Sequence, residues 1–167
     1  MEYAYLETGQ DDKARAIEAE AVAVRNEGFT RGLEPYYFYV HAHFPALLTV
    51  ETKDWKEAES LQPIAGAEPR VQAITYWVQA VGAGHLGDIA AAQVAVHGLD
   101  GALETDRKNH PDSPVPPVYT NKNEAHAWLA FAEKDSTAAF DQGRGSDRLE
   151  LQHAKKFVAE TTRAMIQ

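Results

Sequence analysis

A short pattern of turn residue, polar cap and alanine recurs four times in this sequence and constrains its fold more than any other feature. The segments begin at residues 9, 53, 87 and 134 and read Gly-Gln-Asp-Asp-Lys-Ala, Lys-Asp-Trp-Lys-Glu-Ala, Gly-Asp-Ile-Ala-Ala-Ala and Lys-Asp-Ser-Thr-Ala-Ala. Glycine favours a tight turn, aspartate caps a helix start, and an alanine one turn later lets two helices approach closely. The pattern therefore predicts that turns near 9–14, 53–58, 87–92 and 134–139 each join two antiparallel helices.

The rest of the sequence also favours helices. Alanine recurs at helical spacing, whereas alternating β-branched runs bounded by turn signals are almost absent. We therefore expect an all-α fold in a single domain of residues 1–167, with prolines 111, 114, 116 and 117 in an extended surface loop. The expected helices cover residues 2–8, 11–26, 34–50, 54–61, 71–83 and 89–108, then Asn121 or Asn123 to Glu133, then a short helix from Asp135 or Ser136. Residues Gly84-His85-Leu86-Gly87 should end the fifth of these helices as a glycine C-cap.

A last amphipathic helix is predicted at Leu149–Ile166. Its apolar stripe consists of Leu151, Ala154, Phe157 or Val158, Thr161 and Met165. Such a helix must dock on another surface, so we expect it to cap the open end of a helical stack or to swap onto a second copy. A homodimer is therefore expected.

The charge and composition exclude several function classes. Twenty-five acidic against 16 basic side chains give a net charge of −9, which opposes a nucleic-acid backbone and an anionic membrane surface. The absence of cysteine excludes disulfides and thiolate metal sites. The first residues lack a basic segment followed by an apolar one, and no apolar run approaches the ~18 residues of a membrane span. We expect a cytoplasmic protein.

Residues that could carry catalysis or bind a cofactor do not form a known pattern. His41 and His43 are the only closely spaced histidines, but residues i and i+2 of a helix point about 200° apart and would not share one metal ion. Gly82-Ala83-Gly84 lacks the third glycine and the preceding strand of a dinucleotide loop. We therefore expect no enzyme activity, no cofactor and no metal site.

The sequence resembles the tetratricopeptide repeat, whose helix–turn–helix unit has a period of about 34 residues. The four turn segments lie 44, 34 and 47 residues apart. The matching residues are Tyr5-Leu6-Glu7-Thr8-Gly9-Gln10 with Ala14, Lys53-Asp54-Trp55 with Ala58 and Leu61, Gly82 to Ala92, and Ala127-Trp128-Leu129-Ala130. The likeness covers residues 3–140 and is greatest to C-terminal regions of uncharacterised bacterial proteins. It implies a bacterial α-solenoid of antiparallel helical hairpins, whereas residues 143–167 fit no repeat.

The resemblance implies a non-enzymatic protein that binds a peptide or helix of a partner in a groove. In such repeats the first helix of each hairpin lines the groove. The candidate contact residues at these positions are Tyr39, His43, Tyr76, Gln79, Asn123 and His126. The sequence leaves two alternatives open: a small-molecule or metal-binding helical protein that uses His41, His43 and nearby tyrosines, and a truncated scaffold of a larger repeat protein.

Overall fold

A computed structural model describes residues 2–24, 34–112 and 118–142 of the chain. In these three ranges the protein is all-helical and has no strand, which confirms the expected all-α class. The helices are α1 (Glu2–Glu7), α2 (Asp11–Ala23), α3 (Glu34–Glu51), α4 (Trp55–Ser60), α5 (Pro69–Leu86), α6 (Ile89–Asn109), α7 (Val118–Ala132) and α8 (Ser136–Gln142). The helix predicted at Leu149–Ile166 lies outside the described residues. None of the described helices is long and apolar enough to cross a membrane.

All four turn segments have the same backbone geometry. Their first residues have positive φ, with values of 66° at Gly9, 58° at Lys53, 74° at Gly87 and 63° at Lys134. At each turn the next amide donates to the carbonyl five residues back, over distances of 2.8 to 2.9 Å. This is the hydrogen bond of a Schellman motif, which satisfies a carbonyl at the end of the first helix.

Each turn also starts the following helix. The carboxylates of Asp54, Asp88 and Asp135 accept hydrogen bonds from backbone amides three residues later, at 3.2, 2.9 and 2.9 Å. Gln10, at the first turn, makes no such side-chain cap. The alanine five residues after the first residue of each turn is buried. Ala14, Ala58 and Ala92 are 0% exposed, and Ala139 is 9% exposed.

The helices contact one another in the order of the chain. We call α1, α3, α5 and α7 the first helices, and α2, α4, α6 and α8 the second helices. Each first helix packs against the second helix that follows it, and against the next first helix. The second helices α2, α4 and α6 also pack against the next first helix. These contacts place α5 at the centre of the core, with α3, α4, α6 and α7 around it.

Two glycines bring neighbouring helices close to opposite sides of α5. A Cβ atom at Gly82 would lie 2.7 Å from the Trp55 carbonyl oxygen on α4, and one at Gly84 would lie 2.7 Å from the Trp128 Cβ on α7. Because residues two apart point about 200° away from each other, these contacts lie on different sides of the helix. The two glycines therefore allow α4 and α7 to pack closely against α5.

Predicted boundaries of three helices are wrong by more than one residue. Helix α2 ends at Ala23, whereas the sequence predicted residue 26. Helix α5 begins at Pro69 and continues through Gly84 to Leu86, with Gly87 as its left-handed cap, whereas the sequence predicted residues 71–83. Proline is tolerated in the first turn of a helix, and Gly84 is required inside the helix by its contact with α7. Helix α7 begins at Val118, so neither Asn121 nor Asn123 caps it.

Candidate functional site

An aromatic surface lies along the first half of α3. The Tyr36 side chain is 65% exposed and Tyr39 is 45% exposed. The Tyr39 ring stacks on the His43 ring, with centroids 5.0 Å apart and planes 15° apart. Residues three and four apart share one side of a helix. We call Tyr36, Tyr39 and His43 the α3 aromatic face.

Phe38 and Tyr37, on the same helix, make contacts inside the protein. Phe38 packs against the hydrophobic core, and the partly buried Tyr37 ring lies 4.0 Å from the His41 ring. The two His41 ring nitrogens each lie 3.0 Å from a backbone carbonyl oxygen, one of Tyr37 and one of Val22. His41 therefore links α3 to the last turn of α2. The described residues contain no group of three or more histidine, aspartate or glutamate side chains that could hold a metal ion.

The two candidate residues on α5 contact other helices of the protein. The Tyr76 ring lies against Gly98 of α6, where an added Cβ would come within 2.6 Å of it. The Gln79 side-chain amide donates to the Leu61 carbonyl oxygen, at the end of α4, over 2.5 Å. Both side chains therefore hold second helices against α5.

The two candidate residues on α7 differ in their surroundings. Asn123 is exposed. The His126 Nε2 atom lies 3.1 Å from the Asp100 carboxylate, and the Lys122 ammonium lies 3.0 Å from the same carboxylate. Burial alone would raise the pKa of Asp100, but hydrogen bonds from Lys122 and His126 hold it below its usual value. Of the six candidate residues, the structure stacks Tyr39 on His43 and distributes the other four over α5 and α7.

A partly buried stack of three rings was not foreseen from the sequence. The His85 imidazole lies between the indoles of Trp55 and Trp128, with ring centroids 3.8 and 3.6 Å away. Burial lowers the pKa of His85 to about 4, and the positive charge of Lys53 acts in the same direction. The His85 Nε2 and Trp128 Nε1 atoms are buried without a hydrogen-bond partner. The stack joins α4, α5 and α7 beside the turns and keeps the imidazole neutral near pH 7.

Two buried polar contacts join α5 to α6 and to α7. The Asp106 carboxylate of α6 accepts a hydrogen bond from the Arg70 Nε atom of α5 at 2.7 Å, and the His110 Nδ1 atom lies 3.2 Å away. The Trp77 indole of α5 donates to the Glu124 carboxylate of α7 at 3.0 Å. Since buried carboxylates need partners, both contacts favour one packing of these helices.

No family model, curated protein or solved structure matches this chain. The function must therefore be argued from the geometry of its own residues.

Proposed function

We propose that this chain is a helical-repeat protein of the tetratricopeptide type that acts without catalysis and binds a segment of a partner protein. The repeated geometry of its four turns supports this proposal, because each turn ends one helix and starts the next with the same hydrogen bonds. The contacts of each first helix with the next first helix agree with a stack of hairpins. Stacks of this kind present extended side faces to partners.

The single observation that carries the binding proposal is the exposure of the α3 aromatic face. Tyrosine presents a large, amphipathic surface with few rotatable bonds, which makes it a frequent anchor in interfaces. Tyr36 and Tyr39 are among the most exposed large apolar side chains of the described residues. We assign partner contact to this face, together with Asn123 and His126 on α7. Tyr76 and Gln79 would support the face indirectly, because they hold α6 and α4 against α5.

Affinity capture with matched variants tests this proposal. The double variant Tyr39→Ala, His43→Ala removes the stacked pair, and Val94→Ser removes a 72% exposed apolar side chain from α6 as a control. We expect the original chain and the control to recover the same partner, and the double variant to recover at least tenfold less. Equal recovery by all three chains, or no partner in any of them, would contradict the proposal. Circular dichroism should show that the variants keep their helical content.

The partner can also be a second copy of this chain, as the expected homodimer requires. Light scattering distinguishes this case from a different partner, because one chain has a mass of 18.4 kDa. A dimer that becomes monomeric in the double variant and stays dimeric in Val94→Ser would assign the α3 aromatic face to self-association. A monomer in all variants would exclude self-association through this face.

A further inference from the structure

Glu2, the first residue of α1, is a buried carboxylic acid. Only 3% of the residue is exposed, and its Oε1 atom is buried without a hydrogen-bond partner. An ionised carboxylate in such a position is strongly disfavoured, so the group either keeps a proton or moves into water. The six-residue helix that carries it packs on α2 and α3. Protonation of Glu2 and docking of α1 are therefore linked.

The charged groups near Glu2 oppose its ionisation. Burial, followed by the negative charge of Glu18 on α2, raises the pKa of Glu2 to about 7, against the lowering effect of the chain's amino group. The pKa of Glu18 is itself raised by burial and then by Glu57 on α4, while Arg15 acts in the opposite direction. The Arg15 guanidinium makes ion pairs of 3.3 Å with Glu57 and 3.7 Å with Asp54.

Helix α3, the other helix packed on α1, also carries ionisable side chains. The His41 nitrogens face the backbone carbonyls of Val22 and Tyr37, and His43 stacks on Tyr39. Glu51, the last residue of α3, is exposed. Burial and the charge of Glu18 on α2 are therefore the two influences that raise the pKa of Glu2.

We propose that the buried Glu2 acts as a proton-operated latch that holds α1 on α2 and α3 while Glu2 is protonated and releases α1 when Glu2 ionises. In the released helix, Glu2 is in water and has an ordinary carboxyl pKa of 4.5. The docked helix thus binds the proton more tightly than the released one. Docking is strongest below the pKa of the released state and weakens as the pH rises through about 7.

The size of the effect follows from the pKa difference. Each unit corresponds to a tenfold change in the docking equilibrium, so the rise from 4.5 to about 7 allows a change of up to about 300-fold. Opening of the helix exposes its backbone amides to exchange with solvent. The amides of Gly9 and Gln10, which donate to the Leu6 and Tyr5 carbonyls at 3.0 and 2.8 Å, report on the end of α1.

Hydrogen exchange measured by mass spectrometry on the full chain at pH 5 and pH 8 tests the latch. Protection is expressed relative to the intrinsic exchange rate at each pH. We expect the protection of residues 3–10 to be at least tenfold lower at pH 8 than at pH 5, while the α5 amides keep their protection. Protection of α1 that is absent at pH 5, or equal at the two pH values, would overturn the proposal.

Three variants separate the role of Glu2 from a general effect of charge. Glu2→Gln and Glu2→Met carry no titrating group at this position, so protection of α1 should be the same at pH 5 and pH 8. Glu7→Gln removes the same charge from an exposed position of α1 and should keep the tenfold dependence. A dependence that persists in both Glu2 variants, or is lost in Glu7→Gln, would overturn the assignment to Glu2.

Discussion

Replacing Gly84 by alanine tests whether the close approach of α5 and α7 determines the packing of the core. The added Cβ would lie 2.7 Å from the Trp128 Cβ and 2.9 Å from the Trp128 carbonyl oxygen. These atoms cannot rotate away, so α7 must shift. We therefore expect the overpacking itself to lower the free energy of unfolding by about 3 kcal/mol, which is the upper end of its usual range. Alanine recovers about 1 kcal/mol of helix propensity relative to glycine. We expect a net loss of about 2 kcal/mol in the free energy of unfolding.

Gly101→Ala in α6 is the matched control. A Cβ at this position has nothing within 4 Å, so the variant should gain about 1 kcal/mol from helix propensity. Urea denaturation followed by circular dichroism compares the two variants with the original chain at an unchanged denaturant slope. The two variants should differ by about 3 kcal/mol. A Gly84→Ala midpoint at or above that of the original chain would refute the proposed contact.

Three further predictions concern the turns and the ring stack. Ala92 is fully buried, so Ala92→Leu should lower the free energy of unfolding by about 1–3 kcal/mol in urea denaturation. The control Ala90→Leu, at an exposed site of α6, should change it by less than about 0.5 kcal/mol. Equal midpoints for the two variants would contradict a close helix contact at Ala92. Asp88→Ala removes the acceptor for the Ala91 amide and should lower the free energy of unfolding by about 1 kcal/mol in the same assay. Asp88→Asn keeps an acceptor and should retain most of the original stability. Equal stability of the two variants would contradict the capping role. Burial lowers the pKa of His85 from 6.5 to about 4, so the unfolded chain binds the proton more tightly than the folded one and stability should fall as the pH falls through this interval. The urea midpoint should therefore decrease less between pH 7 and pH 4.5 in His85→Phe than in the original chain. Identical decreases in the two chains would contradict this linkage.

The all-helical class could be predicted because helical periodicity and alanine content are local properties of the sequence. The end of α5 could not be predicted correctly, because Gly84 and Gly87 both look like helix terminators. Only the contact of Gly84 with Trp128, 44 residues away, shows that the first of these glycines belongs inside the helix. The start of α7 was missed because Asn121 and Asn123 resemble N-caps, although the helix already begins at Val118.

The candidate site was accessible to sequence reasoning only in part. Four consecutive aromatic residues, Tyr36 to Tyr39, cannot all lie on one side of a helix, and the structure exposes Tyr36 and Tyr39. The stack of Trp55, His85 and Trp128 has no local pattern, because it joins three different helices. Its one local signal is the position of two of these residues near helix ends. Trp55 follows the N-cap Asp54, and His85 lies two residues before the C-cap Gly87.

Site-specific photo-crosslinking tests most directly whether a partner binds the α3 aromatic face. A photoreactive phenylalanine analogue replaces Tyr39 in one chain and the exposed Val94 of α6 in a second chain. The proposed function predicts a discrete crosslinked partner, identified by mass spectrometry, from position 39 and none from position 94. No crosslink from position 39, or the same crosslinked proteins from both positions, would contradict binding at this face.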